Sequence, residues 1–115
     1  MLHRVVTDGA STVLDYGRGR RSVPVHLFRA VVLRDRHCRY PGYDRKPSWC
    51  EAHHVVPWAE GGETRLGSLV LLCVRHHQLL HRRGWQLKLL PDATVEVTGP
   101  DGLVRTSRPP PVHRC

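Results

Sequence analysis

Five of the nine histidines fall in one stretch, as His53, His54, His76, His77 and His81. The stretch reads as strand, glycine turn, strand and helix, an order that folds its ends back together and gathers the imidazoles. His77 and His81 are four residues apart, so on a helix they share one face and can hold a single metal ion between them. His53 and His54 are adjacent on a strand, where successive side chains point to opposite faces, so both cannot ligate the same ion. The pair therefore implies a division of labour. One imidazole joins His77 and His81 on the metal, and the other takes a proton from water, a task that suits a group titrating near neutrality. A three-histidine site with open coordination positions can act on a phosphodiester as a Lewis acid.

A second cluster is written in the cysteines. Cys73 and His76 form a C-x-x-H pair at the strand-to-helix junction, a spacing that suits half of a structural zinc site. Cys38 is the natural third ligand. Cys50 is a candidate fourth, although a lone cysteine on a strand is also a common buried apolar residue. A chain of 115 residues has room for one small domain with a modest core, so a metal would add to its stability. The N-terminus lacks a signal-peptide pattern and no apolar stretch approaches a membrane span, so a soluble cytoplasmic protein with no membrane partner is expected. In a reducing compartment these thiols read as metal ligands rather than disulfides, and Cys115 at the extreme end as incidental.

The balance of 18 Lys+Arg against 10 Asp+Glu leaves a net charge of +8, which suits a polyanion such as DNA. Only Lys46 and Lys88 are lysines. The rest are arginines, which can hold phosphates bidentately.

Three regions follow along the chain. Residues 1–23 carry one strand-like stretch, Thr12 to Tyr16, then a Gly-Arg run from Gly17 to Arg21, and read as a short strand or the remnant of an upstream region. Residues 24–98 form the main domain. Its first helix is expected to be capped by Ser22, to begin near Pro24 and to run to Asp35, with Val25, Phe28, Val31 and Val32 toward the core. A loop or knuckle follows from Arg36 to Pro47. Strands are expected over Trp49 to Val56 and Leu69 to Leu72, then a helix from Val74 to Arg83 closed by Gly84. A hairpin pairs Trp85 to Leu90 with Thr94 to Thr98. Residues 99–115, with Pro109-Pro110-Pro111, read as a disordered tail.

The run Trp49-Cys50-Glu51-Ala52-His53-His54-Val55-Val56-Pro57-Trp58, then Glu60-Gly61-Gly62, Leu69 to Cys73, His76-His77 and His81, resembles the HNH endonuclease family. It is most similar to the C-terminal HNH part of actinobacterial 13E12-repeat proteins. The likeness runs from about Val5 to Thr98 and is densest from Cys38 to Trp85. It implies a small α+β module of the ββα-metal (His-Me finger) type with a preceding helix and a C-terminal β-hairpin. It further implies that His54 is the general base and that His53, His77 and His81 are metal ligands. The implied cofactor is a divalent ion such as Mg²⁺, Mn²⁺ or Zn²⁺, and the implied partner is DNA.

Two positions depart from the family. Tyr43 stands where relatives commonly have cysteine, which leaves Cys38, Cys73 and His76, with Cys50 in reserve, for the structural zinc. Ser68 stands where the family's central asparagine orients the loop or the catalytic histidine, a supporting role that a hydroxyl fills only in part. The expected activity is hydrolysis of DNA phosphodiester bonds, reduced to the extent that these changes loosen the site. The alternatives are a DNA-binding module of nuclease ancestry that no longer cleaves, and a degenerate fragment of a longer HNH protein.

Overall fold

The computed structural model describes residues 6–7, 13–42 and 45–110, with side chains from Leu14 onward. Tyr43, Thr12 at the head of the N-terminal strand-like stretch, and the tail beyond Pro110, including Cys115, lie outside the described residues.

The elements in chain order are β1 (Val6–Thr7), β2 (Val13–Asp15), α1 (Val25–Asp35), β3 (Cys50–His54), β4 (Leu69–Cys73), α2 (Val74–Leu79), β5 (Gln86–Leu89), β6 (Val95–Thr98) and β7 (Val104–Ser107). They form an α+β module with three antiparallel sheets, β1-β2, β3-β4 and β5-β6-β7.

The middle of the molecule is β4, whose five residues Leu69 to Cys73 are all buried. Its pleat splits the core. Leu69 and Leu71 pack with Leu27 and Val31 of α1, whereas Val70 and Leu72 pack with Val95 and Val97 of β6, Leu80 and Cys38. A strand covered on both faces must be apolar throughout, which is why this run shows no alternation. Its partner β3 is only partly covered, with His53 buried, Glu51 exposed and Cys50, Ala52 and His54 between the two, and it carries the polar side chains. The register is Cys50 opposite Cys73, Ala52 opposite Leu71 and His54 opposite Leu69.

Several boundaries differ from the sequence expectation. The cap of α1 is Pro24 with no side-chain hydrogen bond, and Ser22 Oγ instead accepts a hydrogen bond from Arg20 Nε. The helix buries Leu27, Val31 and Asp35, while Val25 is 66% exposed. Both helix faces are apolar enough to serve, and the i, i+4, i+8 row ending in Asp35 wins because that carboxylate is anchored in the core. α2 stops at Leu79 rather than Arg83. Beyond it the hydrogen bonds tighten to the i→i+3 pattern, His81 N to Gln78 O and Arg82 N to Leu79 O. Gly84 closes the turn with φ +89°, and a Cβ there would meet Pro100 at 3.1 Å.

The expected hairpin is the first two strands of a three-stranded sheet. Val104 to Ser107, within the stretch read as a disordered tail from residue 99, pairs with β6 as β7. A local pattern of polar residues and prolines hides this strand, because the open edge of β6 and a buried arginine hold it in place.

That arginine is Arg39, fully buried. Its Nη1 donates to Asp35 Oδ1 at 2.6 Å, and its Nη2 donates at 2.7 Å to the carbonyls of Ala93 and Ser107. Asp35 Oδ2 accepts the Leu71 N–H at 3.0 Å. Removing the carboxylate would strand a buried guanidinium. Asp35→Ala is therefore expected to cost about 3–5 kcal/mol, read as a lowered urea midpoint in equilibrium unfolding; a loss below about 1 kcal/mol would show that the pair does not hold the sheets together.

Candidate metal and catalytic centre

The β3-β4-α2 unit brings His53, His77 and His81 together. Their ring centroids lie 4.8 Å (His53–His77), 5.4 Å (His53–His81) and 5.0 Å (His77–His81) apart. One nitrogen from each lies within 4.8 Å of the others, close enough for one ion to touch all three. His81 sits in the turn after α2 rather than on it, and the tightened turn keeps it beside His77.

His53 is the buried member, and its Nδ1 is buried with no hydrogen-bond partner among the described residues. Burial first, then the neighbouring His77, His81 and His54, push its pKa down to about 3. A neutral imidazole with an unpartnered nitrogen, beside two more imidazoles, is the donor set of a transition-metal or zinc site, so the residues fit a divalent ion. Glu51 lies two residues before His53, on the same face of β3. His77 Nδ1 lies 3.1 Å from its Oε2, and donation there leaves His77 Nε2 for a metal.

His54 faces the other side of β3, as the pleat requires. Its Nε2 lies 3.0 Å from Thr64 Oγ1, and its ring meets Trp58 edge-on at 6.1 Å. Burial, then Arg21 and His77, lower its pKa and keep it an uncharged base at pH 7. His54, His77 and His81 line one pocket with Arg21 and Trp58. A second pocket on the other side of the triad is lined by His53, His81, Arg82, Arg83 and Lys88. Arg18 stacks over the Trp58 ring at 3.9 Å and donates to the Trp58 and Gly62 carbonyls. Gly62 lets this loop close, since a Cβ there would lie 1.9 Å from the Val56 carbonyl oxygen.

Cys38, Cys73 and His76 form the second cluster, all buried, with ligating atoms within 4.8 Å. The Cys73 and Cys38 sulfurs lie 3.2 and 3.5 Å from His76 Nδ1, and the Tyr40 ring stacks on His76 at 4.0 Å. Burial raises the Cys38 thiol to about 11. Cys50 is near but is not one of the converging group; its Sγ donates to the Lys46 carbonyl at 3.3 Å. No disulfide joins the described cysteines.

Ser68 contributes through its main chain, its carbonyl accepting the Val55 N–H at 2.9 Å. The hydroxyl on His54 belongs to Thr64. Three neighbours of the site were therefore not picked out by sequence pattern: Thr64, Arg21 and Glu51. Glu51 carries a usable signal, its i−2 spacing from His53. Thr64 and Arg21 carry none, because they reach the site through loop packing.

Residues 36–83 match the HNH endonuclease family model. This segment is an HNH domain. Similar proteins are the uncharacterized Mycobacterium tuberculosis proteins Rv3776 (strain H37Rv), 38% identical over 84 residues, and MT2160 (strain CDC 1551), 39% identical over 84 residues. Each alignment covers 72% of this chain but 16% and 15% of the relative, so the chain spans about one sixth of their length. Rv1128c of strain H37Rv is 42% identical over 55 residues, covering 48% of this chain and 12% of its own. No solved structure matches the chain significantly. Among the described residues no helix is long and apolar enough to cross a membrane.

The depressed His53 value fixes a pH dependence for the metal-free HNH domain. The unfolded imidazole titrates near 6.5 and the folded one near 3, so between these values unfolding takes up a proton and stability falls as pH falls. Above 6.5 this contribution is flat. The expected slope from this one group is about 1.4 kcal/mol per pH unit. Urea midpoints measured from pH 7 to pH 4 should drop less steeply in His53→Gln than in the parent; equal slopes would refute the assignment.

Proposed function

We propose that the chain is a metal-dependent DNA endonuclease, with His54 as general base and His53, His77 and His81 as ligands of a divalent ion (Mg²⁺, Mn²⁺ or Zn²⁺). The observation that carries this reading is that a neutral, half-buried imidazole and two of the three candidate ligands line the same pocket, beside an arginine. His54 takes the proton from an attacking water as the new P–O bond forms and the bond to the leaving oxygen breaks. The bound ion would supply Lewis-acid stabilisation of the charge that grows on the phosphate and the leaving oxygen. Arg21 on one flank and Arg82, Arg83 and Lys88 on the other suit neighbouring phosphates, and the net charge of +8 favours the same partner.

Cys38, Cys73 and His76 are read as a structural zinc site, with Cys50 as the candidate fourth ligand in place of a cysteine at position 43. Thiols serving as ligands agree with the cytoplasmic setting expected from the sequence. The coverage of one sixth of the relatives' length agrees with a module that also occurs within longer proteins.

Plasmid DNA should be nicked or cut in the presence of Mg²⁺ or Mn²⁺, and chelator should stop it. His54→Ala should lower the rate by about 10²- to 10⁴-fold. If the parent cleaves with none of the three metals yet binds DNA in a salt-sensitive way, the chain is a binding module of nuclease ancestry. Cleavage by His54→Ala at the parent's rate removes the general-base assignment.

Metal analysis of the purified chain should find one tightly held zinc, lost in Cys73→Ala together with a lower melting temperature. Retention of that zinc in Cys50→Ala removes Cys50 from the ligand set.

A further inference from the structure

Thr64 is fully buried, and its main chain is clamped on both sides. Its N–H donates to the Gly17 carbonyl at 2.9 Å, and its carbonyl accepts the Tyr16 N–H at 2.8 Å. Its side-chain oxygen has two partners, His54 Nε2 at 3.0 Å and the Arg21 carbonyl oxygen at 3.2 Å. A carbonyl oxygen can only accept, so the single hydroxyl hydrogen goes to Arg21. What Thr64 then offers His54 is a lone pair, and Nε2 must carry the hydrogen that meets it.

A neutral imidazole with its hydrogen on Nε2 has its basic lone pair on Nδ1. We propose that Thr64 is a positioning residue that, oriented by the Arg21 carbonyl, holds His54 as the Nε2–H tautomer and so makes Nδ1 the proton-accepting atom. The inference rests on the reading of His54 as the general base. The same hydrogen bond serves both protonation states, because an imidazolium formed at Nδ1 donates through Nε2 more strongly than the neutral ring. It also gives the segment from Tyr16 to Arg21, which precedes the matched HNH residues, a part in the site: its main chain locates the threonine that locates the base. The hydroxyl does here what an amide at position 68 was expected to do.

Two measurements test this. Long-range ¹H–¹⁵N spectra of the metal-free protein above pH 7 report which ring nitrogen of His54 bears the hydrogen. The expected result is Nε2–H in the parent and in Thr64→Ser, with loss of the single tautomer in Thr64→Val. A parent spectrum with Nδ1–H at His54 overturns the proposal, whether or not any variant folds.

In the plasmid assay Thr64→Val should cut about 10- to 100-fold more slowly than the parent, while Thr64→Ser, which keeps the hydroxyl, stays within a few-fold. Thr64→Val at the parent's rate overturns the proposal, as does Thr64→Ser impaired as much as Thr64→Val. A parent that never cleaves removes the nuclease reading alone, since the spectra still report the tautomer.

Discussion

One buried carboxylate, that of Asp35, sets the frame on which everything else hangs. Its Oδ1 receives Arg39 at 2.6 Å and Arg34 Nε at 2.8 Å, and its Oδ2 receives Arg34 Nη2 at 2.9 Å and the Leu71 N–H at 3.0 Å. A charge taken out of water is tolerable only when its lone pairs are filled in this way. The consequence is geometric. α1 is pinned to the middle of β4 through Leu71, and Arg39 carries the tie on to the turn before β6 and to the end of β7. With β4 held at that height, its register with β3 fixes where His53 and His54 stand, and its C-terminal end fixes where α2 begins.

The two adjacent histidines then acquire different chemistry from one backbone rule. The pleat sends His53 to the buried side, beside His77 and His81, where an uncharged ring with an unpartnered nitrogen is what a cation needs. It sends His54 to the half-buried side, where Thr64 and Trp58 border it and Arg21 helps keep it unprotonated. A shift of one residue in the β3-β4 pairing would exchange the two environments.

Much of this was legible in the chain, and the limits of legibility have physical causes. The catalytic and metal-binding candidates were readable because ligand spacing and strand alternation are local rules: His77 and His81 four apart, Cys73 and His76 three apart, His53 and His54 side by side. The β4 core was readable as an unbroken apolar run. What escaped depends on contacts distant in sequence. The strand Val104–Ser107 exists because Arg39 and the edge of β6 receive it. Leu27 rather than Val25 faces inward because Asp35, two turns on, must be buried. Thr64 reaches His54 because Gly62 allows the loop to fold against the Val56 carbonyl. Tyr43, whose identity colours the expectation for the zinc site, lies outside the described residues.

The shortness of α2 has a consequence of its own. Six residues make too few internal hydrogen bonds to hold a helix by themselves, so this one is kept by what its side chains grip. Neighbouring residues grip different things, His76 the pair of cysteines and His77 the imidazole triad. The helix thus carries one residue of each cluster, joined by a single peptide bond. The place of His77 beside His53 and His81 is therefore set in part by what holds His76, one residue away.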